Sequence, residues 1–457
     1  MKEDKYDLTE GGIVNKLSFV AIPLIGTSVI QMTYNLTDMF WLGRLDSDAV
    51  AAAGIAGMFL WMSMAFMIIG RMGAEIGVSQ NLGKGEKEAA KTFSQNSIVI
   101  SIFIGILLAL TYIFAREYLI NFFGIQEAHV ADDARDYLMI VSFGLPFFFP
   151  SAAIAGTFNG AGNSRMSLKI NAVGIVINIL LSPILIFPAG LGVRGAAVAT
   201  VIAQGVAAIV AIIAIKKHKG RPFEKIKVLA LPEFSIVKQI FKWVLPVSVE
   251  SFLFTTLSMF LAGFVAYYGA AAIAASRVSI QIESLTWLIG GGFASALTAF
   301  VGQNYGAGKW SRIHRSFRVS TAMMVCWGVI VTATIFFGAR VLILIFIPDD
   351  PEVLRIGTEY LRILAICQIP QCLEGVAAGA FRGRGRTVPP SVSSVVSNTL
   401  RVVLAFFLSF HTPLGLTGIW IAISVGAAVR GIWIYSWYLI NMRKLPKEDL
   451  PHQVLMS

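Results

Sequence analysis

The sequence predicts an all-α membrane protein with twelve transmembrane helices, arranged as two six-helix bundles that are parallel repeats of each other. The first observation is composition, because 56% of the 457 residues are hydrophobic and only 14% are charged, whereas soluble domains carry about 25% charged residues. The second is a series of apolar stretches of about 20 residues, each long enough to cross a bilayer as a helix. Spanning β-strands would instead need segments of about ten alternating residues. The third is an internal repeat at one fixed offset.

Twelve apolar stretches are expected to span the membrane, and they divide the chain into five segments. The predicted spans are residues 17–42, 50–79, 92–115, 137–161, 167–189, 195–215, 243–266, 272–301, 319–338, 356–381, 387–410 and 415–441. The predicted segments are a cytoplasmic N-terminal segment (1–16), an N-terminal six-helix lobe (17–216), a basic cytoplasmic linker (217–239), a C-terminal six-helix lobe (240–441) and a cytoplasmic tail (442–457).

The distribution of positive charge orients these spans. The two termini and the even-numbered loops, counted with Lys169 at the edge of the fifth span, hold 26 of the 37 lysines and arginines, so the net charge of +11 does not indicate nucleic acid as a partner. Cytoplasmic loops carry such an excess, so both termini are expected in the cytoplasm and the chain in the plasma (inner) membrane. The bilayer is therefore the expected partner of the basic linker, and nucleic acid is not.

The internal repeat keeps one constant offset, the separation of Pro23 from Pro246, without a gap. Six spans per repeat is an even number, so both copies enter the membrane in the same orientation. In transporters with parallel repeats, the substrate path lies between the two halves. The aligned landmarks are residues 78–85 with 301–308, Pro23 with Pro246, Tyr137 with Tyr360, residues 156–162 with 379–385, and Gly192 and Gly195 with Gly415 and Gly418.

Two motifs in each half carry a resemblance to a known family. A Gln-Asn-x-Gly-x-Gly loop follows the second span of each half, at residues 80–85 and 303–308, and a Phe-[Asn/Arg]-Gly-x-Gly turn follows the fourth, at 158–162 and 381–385. With two six-span halves, these motifs resemble the multidrug and toxic compound extrusion (MATE) family over essentially the whole chain. Residues 277–285, with Glu250 four residues after Pro246, resemble its DinF-related bacterial branch. The resemblance implies export of organic, often cationic compounds, driven by inward flow of protons or sodium ions.

Asp38 in the first span is the predicted cation-coupling residue. No basic residue lies within one helical turn of it on its own helix. Charged groups in the hydrocarbon region are costly and usually face a cavity or a partner, and a carboxyl group away from water can exchange a proton near neutral pH. In the family that the chain resembles, the acid at this place is the central coupling residue. Asn35, one turn earlier, is a candidate substrate or second-cation contact. A structural hydrogen-bonded aspartate is the alternative.

The fifth and sixth spans are expected to complete that site. In many members of the family, an aspartate before the fifth-span proline joins the first-span acid, an asparagine four residues earlier and a threonine of the sixth span. Asn178 and Thr200 match this pattern, but Ser182 replaces the aspartate. Asn178 and Ser182 still share a helix face. With one carboxylate fewer, proton coupling is favoured, and sodium binding at Asp38 and Asn178 stays open.

The second half has Leu261 at the repeat position of Asp38 and places its acids elsewhere. Glu250, Glu283 and Glu374 in spans seven, eight and ten are candidate substrate or second-cation contacts. In the sodium-driven branch of the family, acids stand at positions that align here with Phe254 and Gln371, about one turn away. The alternative role is a buried ion pair, for which Arg362, Arg401 and Arg430 are the available partners.

These observations predict a secondary active antiporter that exports organic, cationic or amphipathic drug-like compounds in exchange for protons or sodium by rocking of two lobes. It is expected to act as a monomer on small molecules, without a cofactor. The alternative is a flippase for a lipid-linked oligosaccharide or similar lipid, whose basic central cavity would contrast with the intramembrane acids of this chain. An enzyme is not expected, because there is no nucleophile–base pair, metal cluster or phosphate-binding loop.

Overall fold

The computed structural model describes residues 5–125, 127–348 and 350–449. Within these residues the chain forms fourteen α-helices and no β-strand. The helices are α1 (Ile13–Leu45), α2 (Ser47–Gly83), α3 (Lys87–Asn121), α4 (Ala128–Ser142), α5 (Leu145–Gly160), α6 (Ser164–Ile186), α7 (Gly192–Lys217), α8 (Phe234–Ala266), α9 (Ala270–Gly306), α10 (Trp310–Phe346), α11 (Pro351–Ala365), α12 (Gln368–Gly383), α13 (Val388–Phe410) and α14 (Leu416–Arg443).

The helices account for the twelve predicted spans. Ten of them are long and apolar enough to cross a bilayer singly. The pairs α4–α5 and α11–α12 meet the same criterion only when each pair is taken together, with bends of 48° and 49°. Counting each pair as one span gives twelve. The predicted all-α transmembrane fold is therefore confirmed.

The fourth and tenth spans differ from the prediction, because each is broken rather than continuous. The breaks fall at residues 143–144 and 366–367, which are equivalent positions of the two repeats. Pro146 lies in the first turn of α5 and Pro370 in the first turn of α12. A proline donates no backbone hydrogen bond to the preceding turn and its ring crowds that turn, so the helix bends there.

The repeated Gln-Asn-x-Gly-x-Gly motif has a structural role at the ends of α2 and α9. The side-chain amides of Asn81 and Asn304 donate to the carbonyl four residues earlier, at 2.7 and 2.8 Å. Gly85 and Gly308 end the two turns with φ of +80° and +67°. Only glycine adopts this left-handed conformation without strain. The conformation thus explains why glycine occupies the same position in both repeats.

The described residues form two compact units. The first comprises residues 5–10 and 19–248, and the second comprises residues 11–18 and 249–449 with the gap at 349. In the first unit, α2, α3 and α5 pack on one another and α6 packs on α7. In the second, α9 packs on α12, and α14 packs on α12 and α13.

Each unit contains a close helix–helix contact made possible by glycine. A β-carbon at Gly160 of α5 would lie 2.6 Å from the carbonyl oxygen of Glu75 in α2. A β-carbon at Gly379 of α12 would lie 2.6 Å from the carbonyl oxygen of Ala294 in α9. Real β-carbons do not approach an oxygen so closely, so these two backbones can touch only where no side chain intervenes. Small residues have this role in many membrane helix pairs.

Candidate functional site

Asp38 lies near the C-terminal end of α1, in the first unit. Its side chain is partly buried, and its Oδ1 atom is shielded from solvent without a hydrogen-bond partner among the described residues. No ion pair to it is found within the described ranges. The side chain of Asn35, the other candidate on this helix, lies outside the described residues. Asp38 therefore presents a carboxyl oxygen that its described surroundings leave without a hydrogen bond.

Contacts along α1 and α6 fix the level of Asp38 relative to the fifth span. Near the N-terminal ends of the two helices, the hydroxyl group of Ser164 donates to the carbonyl oxygen of Val20 at 2.8 Å. Near their C-terminal ends, the rings of Trp41 and Phe187 lie 6.2 Å apart. The two helices therefore run side by side in the same direction. Asp38 lies three residues before Trp41 and eighteen after Val20, so it is level with residues 182–184 of α6, next to Ser182 and one to two turns beyond Asn178.

Asn178, Ser182 and Thr200 form one buried polar cluster, in which the contact between Asn178 and Ser182 was predicted from their spacing and Thr200 from the family resemblance. Asn178 Nδ2 donates to Thr200 Oγ1 at 3.1 Å, and Ser182 Oγ donates to Asn178 Oδ1 at 3.3 Å. Thr200 in turn donates to the carbonyl oxygen of Ala196 at 3.1 Å. The cluster thus joins α6 to α7 at the level of Asp38.

The cluster can assist a carboxyl group that gains and loses charge. A primary amide has two N–H donors, and the bond to Thr200 uses one donor of Asn178. Its second N–H is suited to a neighbouring carboxylate. The amide and hydroxyl oxygens are also the hard ligands that small cations such as sodium accept. The described contacts do not join Asp38 directly to this cluster, so the four-residue site stays a prediction.

Glu283 of α9 is buried in the second unit and hydrogen-bonded on one carboxyl oxygen. Its Oε1 atom accepts from Trp287 Nε1 at 2.9 Å and from Gln371 Nε2 at 3.1 Å. Arg401 and Arg430 interact with it electrostatically. A buried carboxyl group with two donors and nearby positive charge is held in a defined orientation.

Glu374 and Glu250 have different surroundings in the same unit. Arg430 Nε donates to Glu374 Oε2 at 2.7 Å, and both side chains are about four-fifths buried. This is the ion-pair alternative that the sequence left open for Glu374. Glu250 Oε2 is shielded from solvent and has no hydrogen-bond partner in the described part of the chain. Arg362 is exposed. Substrate or cation contact by Glu250, Glu283 and Glu374 stays a prediction.

Two residues of this second cluster, Trp287 and Cys367, were not anticipated from the sequence. Cys367 is a buried residue whose sulfur accepts a hydrogen bond from Gln371 at 3.3 Å. Trp287 follows Glu283 by four residues, so the helical repeat was the signal that could have identified it. Cys367 precedes Gln371 by four residues, so the same spacing could have identified it.

Comparison with known proteins identifies the family. The sequence model of the MatE family matches residues 23–184 and 246–407. The two matches begin at equivalent positions of the internal repeat and also end at equivalent positions. The two halves are thus two copies of one family unit.

Curated relatives and solved structures agree with that match. The chain is 30% identical over 415 residues to a protein described as probable multidrug resistance protein NorM from Thermotoga maritima, covering 90% of this chain and 88% of the relative. It is 25% identical to probable multidrug resistance protein YoeA from Bacillus subtilis, covering 94% of each. An outward-facing multidrug resistance MATE transporter of the MOP superfamily superposes with a TM-score of 0.91 at 21% identity, covering 97% of this chain and 99% of that structure. A MATE protein in complex with MaD3S superposes with a TM-score of 0.90 at 22% identity and the same coverage. The chain therefore belongs to the MATE family of multidrug efflux transporters, and it is not an enzyme.

Proposed function

We propose that this protein is a secondary antiporter that exports organic, cationic or amphipathic drug-like compounds in exchange for protons, with sodium as the alternative coupling ion. It works as a monomer in the plasma (inner) membrane, with both termini in the cytoplasm. The two six-helix halves rock to expose a shared cavity to either side. The multidrug resistance names of the relatives support export of drug-like compounds, and the excess of positive charge in the even-numbered loops supports the orientation.

The observation that carries the coupling proposal is the state of Asp38. Its shielded carboxyl oxygen has no hydrogen-bond partner in the part of the chain that the structure describes. An uncompensated carboxylate at membrane depth is unfavourable, and binding a proton or a small cation removes that penalty. Ser182 lies at the same level on the neighbouring helix, and Asn178, one to two turns before it, has an amide N–H to offer the charged form. Asp38 is thus suited to exist in two states, loaded and unloaded.

Exchange follows if the coupling ion and the substrate depend on the same group. A ligand shifts a conformational equilibrium only if it binds one state more tightly than the other. We infer that the ion neutralises Asp38 in the outward-open state and that its release inward restores a carboxylate that attracts a cationic substrate. Because one carboxylate cannot hold both, the two ligands alternate. This competition makes the proposed transporter an antiporter rather than a symporter.

Transport by the purified full-length protein in liposomes tests the proposal. Proton and sodium gradients are imposed separately, and movement of ethidium against its own gradient is followed by fluorescence. We expect the proton gradient to drive ethidium transport, and dissipation of the gradient to stop it. Transport driven by neither gradient would refute cation coupling, and transport driven by sodium alone would replace the proton by sodium.

A further inference from the structure

Arg401 occupies, in the second repeat, the position that Asn178 occupies in the first. The same offset that relates Pro23 to Pro246 relates these two positions, and the partners of Asn178 change with it. Ser182 corresponds to Ala405 and Thr200 to Ile423. The second repeat thus places a guanidinium group where the first has an amide, and replaces both hydroxyl groups around it by apolar side chains.

The surroundings of Arg401 fix its position without neutralising it. Its Cζ atom lies 5.5 Å from the ring centroid of Phe254 in α8. Its stem packs against Gly426 of α14, where an added β-carbon would lie 2.9 Å from Arg401 Cβ. The buried Nε atom has no hydrogen-bond partner, and no carboxylate lies within 4.0 Å of the guanidinium group, in residues 5–125, 127–348 and 350–449. Glu283 interacts with it at longer range, but one of its carboxyl oxygens already accepts two hydrogen bonds.

A carboxyl group lies one helical turn before Phe254 on α8, and one of its oxygens has no hydrogen-bond partner among the described residues. Glu250 precedes Phe254 by four residues, so the two side chains share one face of the helix, about 6 Å apart at their β-carbons. Glu250 Oε2 is buried and lacks a hydrogen-bond partner among the described residues. Glu374, the other acid near it, is paired with Arg430. Around Phe254 there are thus a carboxyl group and a guanidinium group, each with a buried atom that has no hydrogen-bond partner among the described residues.

We propose that the C-terminal half binds amphipathic zwitterions, with a carboxylate of the ligand on Arg401, an ammonium group on Glu250 and an aromatic body against Phe254. Buried groups of this kind are expensive unless a partner of opposite charge meets them, and a guanidinium group is the preferred partner of a carboxylate. A ligand of this shape would satisfy both orphaned atoms at once. The inference rests on the proposed export function and narrows its substrates, because an acid at Asp38 alone would select cations only.

Binding of three compounds to the purified full-length protein in detergent tests these contacts one by one. Ciprofloxacin carries a carboxylate and an ammonium group, its ethyl ester keeps only the ammonium group, and ethidium has no carboxylate. Binding to the purified protein is measured by quenching of tryptophan fluorescence. We expect the native protein to bind the free acid at least about tenfold more tightly than the ester, the size of one hydrogen-bonded charge contact.

Substitutions of Arg401 and Glu250 show which side chain binds the carboxylate and which binds the ammonium group. Arg401→Asn, which copies Asn178 into the second repeat, should remove the preference for the acid and should not weaken ethidium binding, because ethidium has no carboxylate for Arg401 to hold. Arg401→Lys should keep part of the preference, because it retains the charge but loses the planar fork. Glu250→Gln should weaken acid and ester alike. Arg355→Gln, which removes an exposed positive charge of α11, is the matched control and should change none of the three.

Equal binding of acid and ester by the native protein would overturn the inference, and that comparison needs no variant. A proportional loss of affinity for all three probes in Arg401→Asn would also overturn it, because Arg401 would then serve the fold as a counter-charge for Glu283. These results stand apart from the antiport proposal. Antiport fails instead if the native protein moves ethidium with neither gradient, whatever the binding preferences are.

Discussion

Asn178 donates to Thr200 across 3.1 Å, and the residue that aligns with it in the second repeat, Arg401, has neither that bond nor an equivalent one from its Nε atom in the described part of the chain. Two halves built from the same unit therefore carry different chemistry at the same position. The first half has a neutral hydrogen-bonded cluster at the level of a single carboxyl group. The second has a mixed set of acids and arginines. The repeat preserves the scaffold, and the polar residues within it have diverged.

Replacing Asp38 by asparagine is expected to reduce gradient-driven ethidium transport to the level of liposomes without protein. The substitution keeps the size of the side chain and removes its ability to take up and release a proton. Asp38→Glu should retain part of the transport, because it keeps the carboxyl group. Asp132→Asn, at an exposed acid of α4, is the control. Native transport rates in Asp38→Asn would remove this residue from the coupling mechanism.

Ser182→Asp is expected to make transport depend more strongly on sodium. The substitution supplies the second carboxylate that this position has in many members of the family, next to the Asn178 amide. Two carboxylates supply a metal cation with two anionic oxygen ligands, whereas a single proton neutralises only one of them. The measurement is ethidium transport in liposomes as a function of sodium concentration. Ser182→Asn, equal in size but uncharged, should leave the sodium dependence native; a change in both variants would attribute the effect to size.

The Glu374–Arg430 pair predicts non-additive effects on stability. Glu374→Gln or Arg430→Gln alone leaves one charge in the interior without its partner. Breaking a fully buried pair in this way lowers the free energy of unfolding by about 3–5 kcal/mol. The double variant should regain much of the loss in thermal stability, measured by unfolding of the purified protein in detergent. Glu88→Gln, which breaks an exposed pair with Lys91, should cost at most about 1 kcal/mol. Additive losses in the double variant would show that the two groups do not depend on each other.

Most of the fold followed from the sequence, because it rests on patterns that repeat many times. Each span needs only length and apolar composition, and the constant offset of the internal repeat is supported by many aligned positions. The breaks in the fourth and tenth spans did not follow. Pro146 and Pro370 lie in the first turn after each break, yet a proline inside an apolar stretch is compatible with an unbroken span. Pro246 is such a case, since α8 continues through it.

The site was predictable only where contacts are local or follow a known spacing. The bond from Ser182 to Asn178 joins residues four apart, and its partner Thr200 came from the family resemblance. The bond from Gln371 to Glu283 joins residues 88 apart on helices α12 and α9. No spacing rule gives such a contact, because it depends on how two separate spans pack and on where α12 begins. For the same reason, the proximity of Arg401 to Phe254 could not be predicted from the sequence.

Gly379→Ala is expected to lower the free energy of unfolding by about 1–3 kcal/mol, the usual cost of overpacking. The unfolding temperature should fall accordingly. An added methyl group would lie 2.6 Å from the carbonyl oxygen of Ala294, and neither backbone can move away without disturbing its helix. Gly160→Ala should have a similar effect in the first repeat. Gly263→Ala is the matched control, because no atom lies within 4 Å of a β-carbon there; since alanine favours the helix by up to about 1 kcal/mol, it should leave stability unchanged or raise it. Unfolding temperatures in one detergent give the comparison. Equal stability of Gly379→Ala and Gly263→Ala would show that α9 and α12 are not held in backbone contact at this glycine.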